Sequence, residues 1–331
     1  MESAPDNHST GFRTRAKIWK LCTRGLHFGK RPLLMGIVNV TPDSFSDGGK
    51  FLSHDQAVRR ALRLLDEGAE ILDIGGESTR PYATPVGEAE ELARVEPVVA
   101  GVLRERPEAI VSIDTSKPWV AAAAIHLGAE IINDITGLSD PRMIALASSS
   151  GVGVCAMHMQ GTPQTMQIEP TYHDVVAEIA TYLQSRRDAL IAAGIDRERI
   201  CLDPGIGFGK THQHNLTLMA HCDRLHELGC PLLVGHSRKG FIAKVLGTPT
   251  RNVSEGTHAR SASEGPSVPS ITAGTPPPDR TAATIGGALA LARQGVQVIR
   301  VHDVRPVREA LLLFEACGGI DGTELTLAQN Q

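Results

Sequence analysis

The chain has no Cys-x-x-Cys pair. Its six cysteines, Cys22, Cys155, Cys201, Cys222, Cys230 and Cys317, follow no regular spacing. That is the usage of a reducing compartment, not of a disulfide framework. No stretch approaches eighteen consecutive apolar residues, so no membrane span is expected. Residues 1–30 are polar and charged and lack an apolar core of the secretory type. A basic excess is missing too: 33 Lys and Arg stand against 37 Asp and Glu, a formal charge of -4. Bulk attraction to nucleic acid is thereby excluded. The expectation is a cytoplasmic protein with no nucleic-acid or membrane partner.

What is present is an ordinary globular balance, 41% apolar and 21% charged over 331 residues. This length suits one large α/β barrel as well as two domains. Short, nearly continuous apolar runs rich in β-branched residues recur at 33–38, 70–74, 110–113, 130–132, 152–156, 199–202, 231–234 and 296–301. Such runs are expected of parallel strands covered on both faces. Helical periodicity fills the gaps at 54–68, 88–104, 118–127, 141–149, 173–193, 215–227, 237–246 with 281–293, and 304–316. Eight strands alternating with eight helices predict a single (β/α)8 TIM barrel, with an open doubly wound sheet as runner-up.

Three segments stand outside that rhythm. Residues 1–15 are polar and expected to be a disordered extension, with 16–317 as the barrel and 318–331 as a tail. Residues 17–29 suit a hairpin over the barrel floor. Residues 248–279 are rich in Ser, Thr, Gly and Pro, with Pro276, Pro277 and Pro278 near their end, and predict a flexible insertion.

Each strand delivers a polar group where it ends. Asn39 ends the first strand, Gly75-Gly76-Glu77-Ser78-Thr79-Arg80-Pro81 follows the second, and Asp114 ends the third. Asn133-Asp134, His158, Asp203-Pro204-Gly205, Ser237-Arg238-Lys239 and Arg300-Val301-His302 complete the round. In a closed barrel these groups meet on the rim that carries active sites. Singly, Asp114 and Asn133 read equally well as helix caps. Asp203 reads equally well as part of a turn. Together, Asp114, Asn133 and Asp203 form an acceptor set for a planar, donor-rich heterocycle. Lys239, Arg238, Arg300 and His302 form a cationic set for phosphate. Arg238 and Lys239 beside a helix start oppose the helix dipole unless an anion binds there. Asn39 and nearby loop acids are hard oxygen donors that suit Mg²⁺.

The run Met35-Gly36-Ile37-Val38-Asn39-Val40-Thr41-Pro42-Asp43-Ser44-Phe45-Ser46-Asp47-Gly48-Gly49 resembles the opening signature of the dihydropteroate synthase family. Asp73-Ile74-Gly75-Gly76-Glu77-Ser78-Thr79-Arg80-Pro81 resembles its second signature, and the remaining strand ends follow in the family's order. The resemblance implies an enzyme of folate biosynthesis. It would join hydroxymethyl-dihydropterin pyrophosphate to p-aminobenzoate. By resemblance, Asp114, Asn133, Asp203 and Lys239 would hold the pterin, with Arg238 stacking nearby. Asn39, Arg80, Arg300 and His302 would bind Mg²⁺ or the pyrophosphate. Thr79, Pro81, Phe45, Phe208 and Ser237 would shape the p-aminobenzoate pocket, where sulfonamides compete. A homodimer through the outer helices is also implied, although Ala283 stands where the family has Gly. A pterin-dependent methyltransferase and a non-catalytic pterin-binding paralogue are the rival readings.

Overall fold

In the computed structural model, which describes residues 14–41, 50–80, 83–247 and 280–322, the chain enters as an antiparallel hairpin. Its strands are β1 (Ile18–Lys20) and β2 (Gly25–His27). Eight parallel strands follow: β3 (Leu33–Asn39), β4 (Ile71–Gly75), β5 (Val111–Asp114), β6 (Ile131–Asp134), β7 (Gly153–Met157), β8 (Ile200–Asp203), β9 (Leu233–Gly235) and β10 (Val298–Val301). They pair in the order β8-β7-β6-β5-β4-β3-β10-β9. A single bridge, Leu202 to Leu232, joins the two ends. The sheet is therefore a barrel, most lightly sewn at the β8–β9 seam. Each of the eight strands expected from the sequence is present, its ends within two residues.

The helices are α1 (Lys50–Asp66), α2 (Glu88–Glu105), α3 (Pro118–Leu127), α4 (Pro141–Ser150), α5 (Val175–Ala192), α6 (His212–Ala220), α7 (Gly240–Gly247), α8 (Thr281–Arg293) and α9 (Val304–Ala316). No helix among the described residues is long and apolar enough to cross a membrane. Neither Asp114 nor Asn133 serves as a helix cap. Lys117 and Asp140 occupy those positions, and Asp140 accepts a hydrogen bond from Arg142 N. This leaves both polar side chains for the barrel interior. The helix expected over 215–227 is two pieces. It starts at a capping box in which Thr211 pairs with His214, and it gives way to a 3-10 stretch at Cys222–Leu228. The insertion at 248–279 lies wholly outside the described residues, as does the proposed disordered start apart from residues 14 and 15.

Two cores sandwich the strands. An outer one packs strands against helices. The inner one fills the barrel with Met35, Ile71, Ile110, Ile131, Cys155, Cys201, Leu233 and Val298, and the hairpin plugs its floor with Trp19, Leu21 and Leu26. Trp19 is fully buried and its indole Nε1 donates to Arg199 O at 3.0 Å. The hairpin turn is held by buried Glu130. Its Oε2 accepts from Thr23 Oγ1 at 2.7 Å, and Arg24 pairs with its Oε1 at 3.0 Å. Because side chains on a strand alternate, residues two apart share a face. Ile71, Ile131, Cys201 and Val298 therefore lie directly beneath Asp73, Asn133, Asp203 and Arg300. The barrel changes from apolar to charged in one step. Trp19→Ala is expected to lower the unfolding free energy by about 3–5 kcal/mol in urea titrations.

Candidate active site

The polar layer at the top of the barrel comes mainly from alternate strands, β4, β6, β8 and β10, as barrel interiors are built, with Asp114 of β5 beside them. Arg300 is its hub. Its Nε donates to Asp73 Oδ2 at 2.5 Å and its Nη2 to Asp114 Oδ2 at 2.7 Å. Asn133 Nδ2 donates to the same Asp73 oxygen at 3.1 Å. Asp114 and Asn133 are register neighbours on β5 and β6. Burial pushes the Asp114 carboxyl up to about 7 against the pull of Arg300. Arg300 itself is held above its ordinary value, because Asp73 and Asp114 outweigh the cost of burying it.

Asp203 closes the layer from β8. One oxygen accepts from Gly205 N at 2.7 Å, and burial raises its carboxyl. So the turn expected at Asp203-Pro204-Gly205 and the inward acceptor coexist in one residue. Lys239 reaches across from the β9 end. Its ammonium donates to Ile206 O and sits 4.3 Å from the centroid of the Phe208 ring. Burial draws that ammonium down to about 7.

The neighbouring groups lean on one another. Arg238, in the left-handed region at φ 59°, forks onto Asp303 with contacts of 2.9 and 2.5 Å. This pair supplies a negative partner beside the start of α7. His302 N and Nδ1 both meet Ser237 Oγ, at 3.3 and 3.1 Å. Burial, and then the cations Arg300 and Arg238, push His302 down to about 3. The same shift favours the neutral, hydrogen-bonding form of His302.

Asn39 stands half-buried at the end of β3, in register with Gly75. Thr79 is half-buried and Arg80 exposed on the loop after β4. Phe45 and Pro81 lie outside the described residues. Among the described residues no group of three or more His, Cys, Asp or Glu side chains is arranged to hold a metal.

Asp73 is the functional residue that sequence reasoning passed over. Its signal was a carboxylate inside an otherwise apolar strand, which burial tolerates only with a partner. A second group also escaped. Lys117 Nζ donates to Glu77 Oε2 at 2.6 Å and to fully buried Glu91, while Glu77 Oε1 accepts from Val86 N at 2.9 Å. This triad straps the loop that carries Thr79 and Arg80 to α2.

With that geometry in hand, comparison with known proteins is decisive. The family model for the pterin-binding enzymes matches residues 35–302. The chain belongs to the pterin-binding enzyme family. This pterin-binding enzyme is 45% identical over 292 residues to the dihydropteroate synthase of Neisseria meningitidis serogroup C, covering 87% of this chain and 93% of the relative. Against the Xanthomonas albilineans dihydropteroate synthase with 4-aminobenzoic acid, the TM-score is 0.77 at 40% identity, over 91% of this chain and 98% of that one. Against the Burkholderia cenocepacia dihydropteroate synthase complexed with 7,8-dihydropteroate, it is 0.73 at 39% identity, over 91% and 96%. The barrel of the pterin-binding enzyme is thus the TIM barrel of its relatives.

Removing the hub of a buried ion network leaves uncompensated charge. Arg300→Met is expected to cost about 3–5 kcal/mol of stability at pH 8. Asp114 has a folded value above its unfolded one, so its ionisation opposes folding as pH rises from the ordinary carboxylate range through about 7. The penalty of Arg300→Met should therefore shrink between pH 8 and pH 5, as seen in parallel denaturation curves.

Proposed function

We propose that this pterin-binding enzyme is a dihydropteroate synthase. It would join hydroxymethyl-dihydropterin pyrophosphate to p-aminobenzoate, giving dihydropteroate and pyrophosphate in folate biosynthesis. The observation that carries the reading is the layer in which Asp114, Asn133 and Asp203 face one rim beside the ammonium of Lys239. An aminopyrimidinone edge presents adjacent N–H donors, which buried carboxylates accept strongly. The names and ligands of the two solved relatives support the same substrates.

Asp114 and Asp203, ionised, hold the pterin by its donor edge, with Asn133 completing the set. The reaction begins as the methylene carbon releases the pyrophosphate oxygen together with the bonding electrons. Positive charge spreads from the methylene into the pterin ring, where the two carboxylates stabilise it. Negative charge grows on the leaving group, which Arg80, Lys239, Arg300 and His302 would meet; such preorganised groups dominate many barriers. The neutral arylamine then forms the C–N bond and loses its proton to solvent. No strong base is required. Phe208, Thr79 and Ser237, with Phe45 and Pro81, would wall the amine pocket.

Mg²⁺ belongs to this reading as the partner of the pyrophosphate. With no three-ligand nest among the described residues, the fit is to an ion held mainly by phosphate oxygens and water, with Asn39 as its protein oxygen. When bound, such an ion would neutralise leaving-group charge.

A homodimer also fits. The outer face of α8 and α9 carries a shallow cleft of about 370 Å³ lined by Leu289, Arg293, Leu313, Phe314 and Cys317. Leu313 is 67% exposed there, as a residue awaiting a second copy would be. Sedimentation should find a dimer in the wild type and a monomer in Leu313→Asp.

Two assays test the chemistry. Purified protein should release pyrophosphate only when both substrates and Mg²⁺ are present, and Asp114→Asn should reduce kcat/KM by about a hundredfold or more. Asp114 must lose its proton and Lys239 must keep its own, and both titrate at about 7. The pH profile of kcat/KM should be a narrow bell near pH 7, rising on the acid side with Asp114 and falling on the alkaline side with Lys239. The acid limb should disappear in Asp114→Asn. Release without p-aminobenzoate at an equal rate would refute the synthase reading.

A further inference from the structure

Lys210 is buried, yet among the described residues no carboxylate lies within hydrogen-bonding distance of it. Its ammonium donates instead to neutral acceptors: Phe208 O at 2.8 Å, His158 Nδ1 at 3.0 Å and His158 O at 3.5 Å. Burial and the lysine charge push His158 down to about 3, so its ring is neutral and Nδ1 is free to accept. Burial draws this ammonium down to about 7 against the pull of Asp203, so holding a cation here is costly. A methionine would fill the same volume without that cost, but it would leave three acceptors unmet.

The segment that Lys210 ties down is the β8–α6 loop, 204–211. It is pressed against the end of β7 and against Lys239. A Cβ on Gly205, at φ 68°, would fall 1.9 Å from His158 O, and one on Gly207, at φ 86°, would fall 2.7 Å from Lys239 Cδ. Other side chains pin the same loop from outside. Asn215 Oδ1 accepts from Gly207 N at 2.6 Å, Gln167 Nε2 donates to Gly207 O at 3.1 Å, and Tyr172 Oη donates to Gly209 O at 2.8 Å. Tyr182 packs edge-on to His158 at 4.8 Å between centroids, fixing the ring that receives Lys210. Phe208 is the one aromatic side chain of this loop, and its ring carries the Lys239 ammonium.

We propose that Lys210 is a positioning residue for the aromatic-amine half of the reaction. By tying the Phe208 carbonyl to His158, it holds the Phe208 ring where it walls the amine pocket and seats Lys239. Three members of the acceptor layer stand apart from this tie, because Asp73, Asp114 and Asn133 are held by Arg300 and by one another, while Asp203 borders the loop through Gly205 N. Loss of Lys210 should therefore be felt more strongly by the amine than by the pterin. The inference rests on the synthase reading.

The test is steady-state kinetics on Lys210→Met, with thermal unfolding as a check on folding and calorimetric titration of the pterin substrate alone. The KM for p-aminobenzoate should rise about tenfold, as expected for a displaced positioning group. kcat should stay within about threefold and the pterin Kd should change by less than about threefold. His158 supplies a second, independent pair of variants. Asn places an oxygen where Nδ1 stood, so His158→Asn should keep the wild-type KM, whereas His158→Leu should reproduce Lys210→Met. A role in packing alone would rank them the other way, since leucine fills an apolar site better. Wild-type constants in Lys210→Met overturn the positioning claim. So does an equal loss of pterin affinity, or a His158→Leu that matches His158→Asn. A wild-type protein that releases no pyrophosphate in response to p-aminobenzoate overturns the synthase reading itself, and this claim falls with it. If Lys210→Met fails to fold, the His158 pair decides.

Discussion

One guanidinium organises the top of the barrel. Arg300 joins β10 to β4 and β5 through Asp73 and Asp114, and Asn133 adds β6 by bonding the same Asp73 oxygen. Charges at this depth are tolerated only when they satisfy one another, since each alone carries several kcal/mol of desolvation. The charged layer therefore assembles as a unit above an apolar floor, or it does not assemble. Its geometry also leaves work undone: Asp73 Oδ1 is buried with no partner among the described residues. An unsatisfied buried oxygen is a feature that native proteins keep at functional sites.

Around that hub the site divides by how its parts are held. The acceptors are fixed from within the barrel by ionic hydrogen bonds. The groups that approach from above are fixed by loops, and each loop has its own strap. Glu77, Lys117 and Glu91 secure the one after β4, Arg238 and Asp303 brace the one after β9, and Lys210 secures the one after β8.

Much of this was legible in the amino-acid order. Apolar runs marked all eight strands because a parallel strand covered on both faces has no polar side, and the polar residue closing each run marked the rim. The resemblance to dihydropteroate synthases named the same acceptors. Three things were hidden for identifiable reasons. Asp73 and Arg300 are 227 positions apart, and only the closed sheet shows that one explains the other. His302 reads as a cation by residue type, and the burial and neighbouring cations that lower its pKa show only in the folded chain. Lys210 follows a glycine run as any solvated lysine might, and only the packing of that run against His158 reveals what it does. The break between α6 and its 3-10 continuation left the apolar spacing almost intact, so periodicity passed over it.

The central claim is that the buried acceptor layer recognises the donor edge of a pterin. The most direct measurement is calorimetric titration of 6-hydroxymethylpterin against an analogue whose ring N–H and exocyclic amino hydrogens are replaced by methyl groups. Two charge-assisted hydrogen bonds are at stake, each about 1.5–3 kcal/mol, so the methylated compound should bind at least about a hundredfold more weakly than its parent. Equal affinity for the two would contradict the account, because it would mean that Asp114 and Asp203 do not receive those hydrogens.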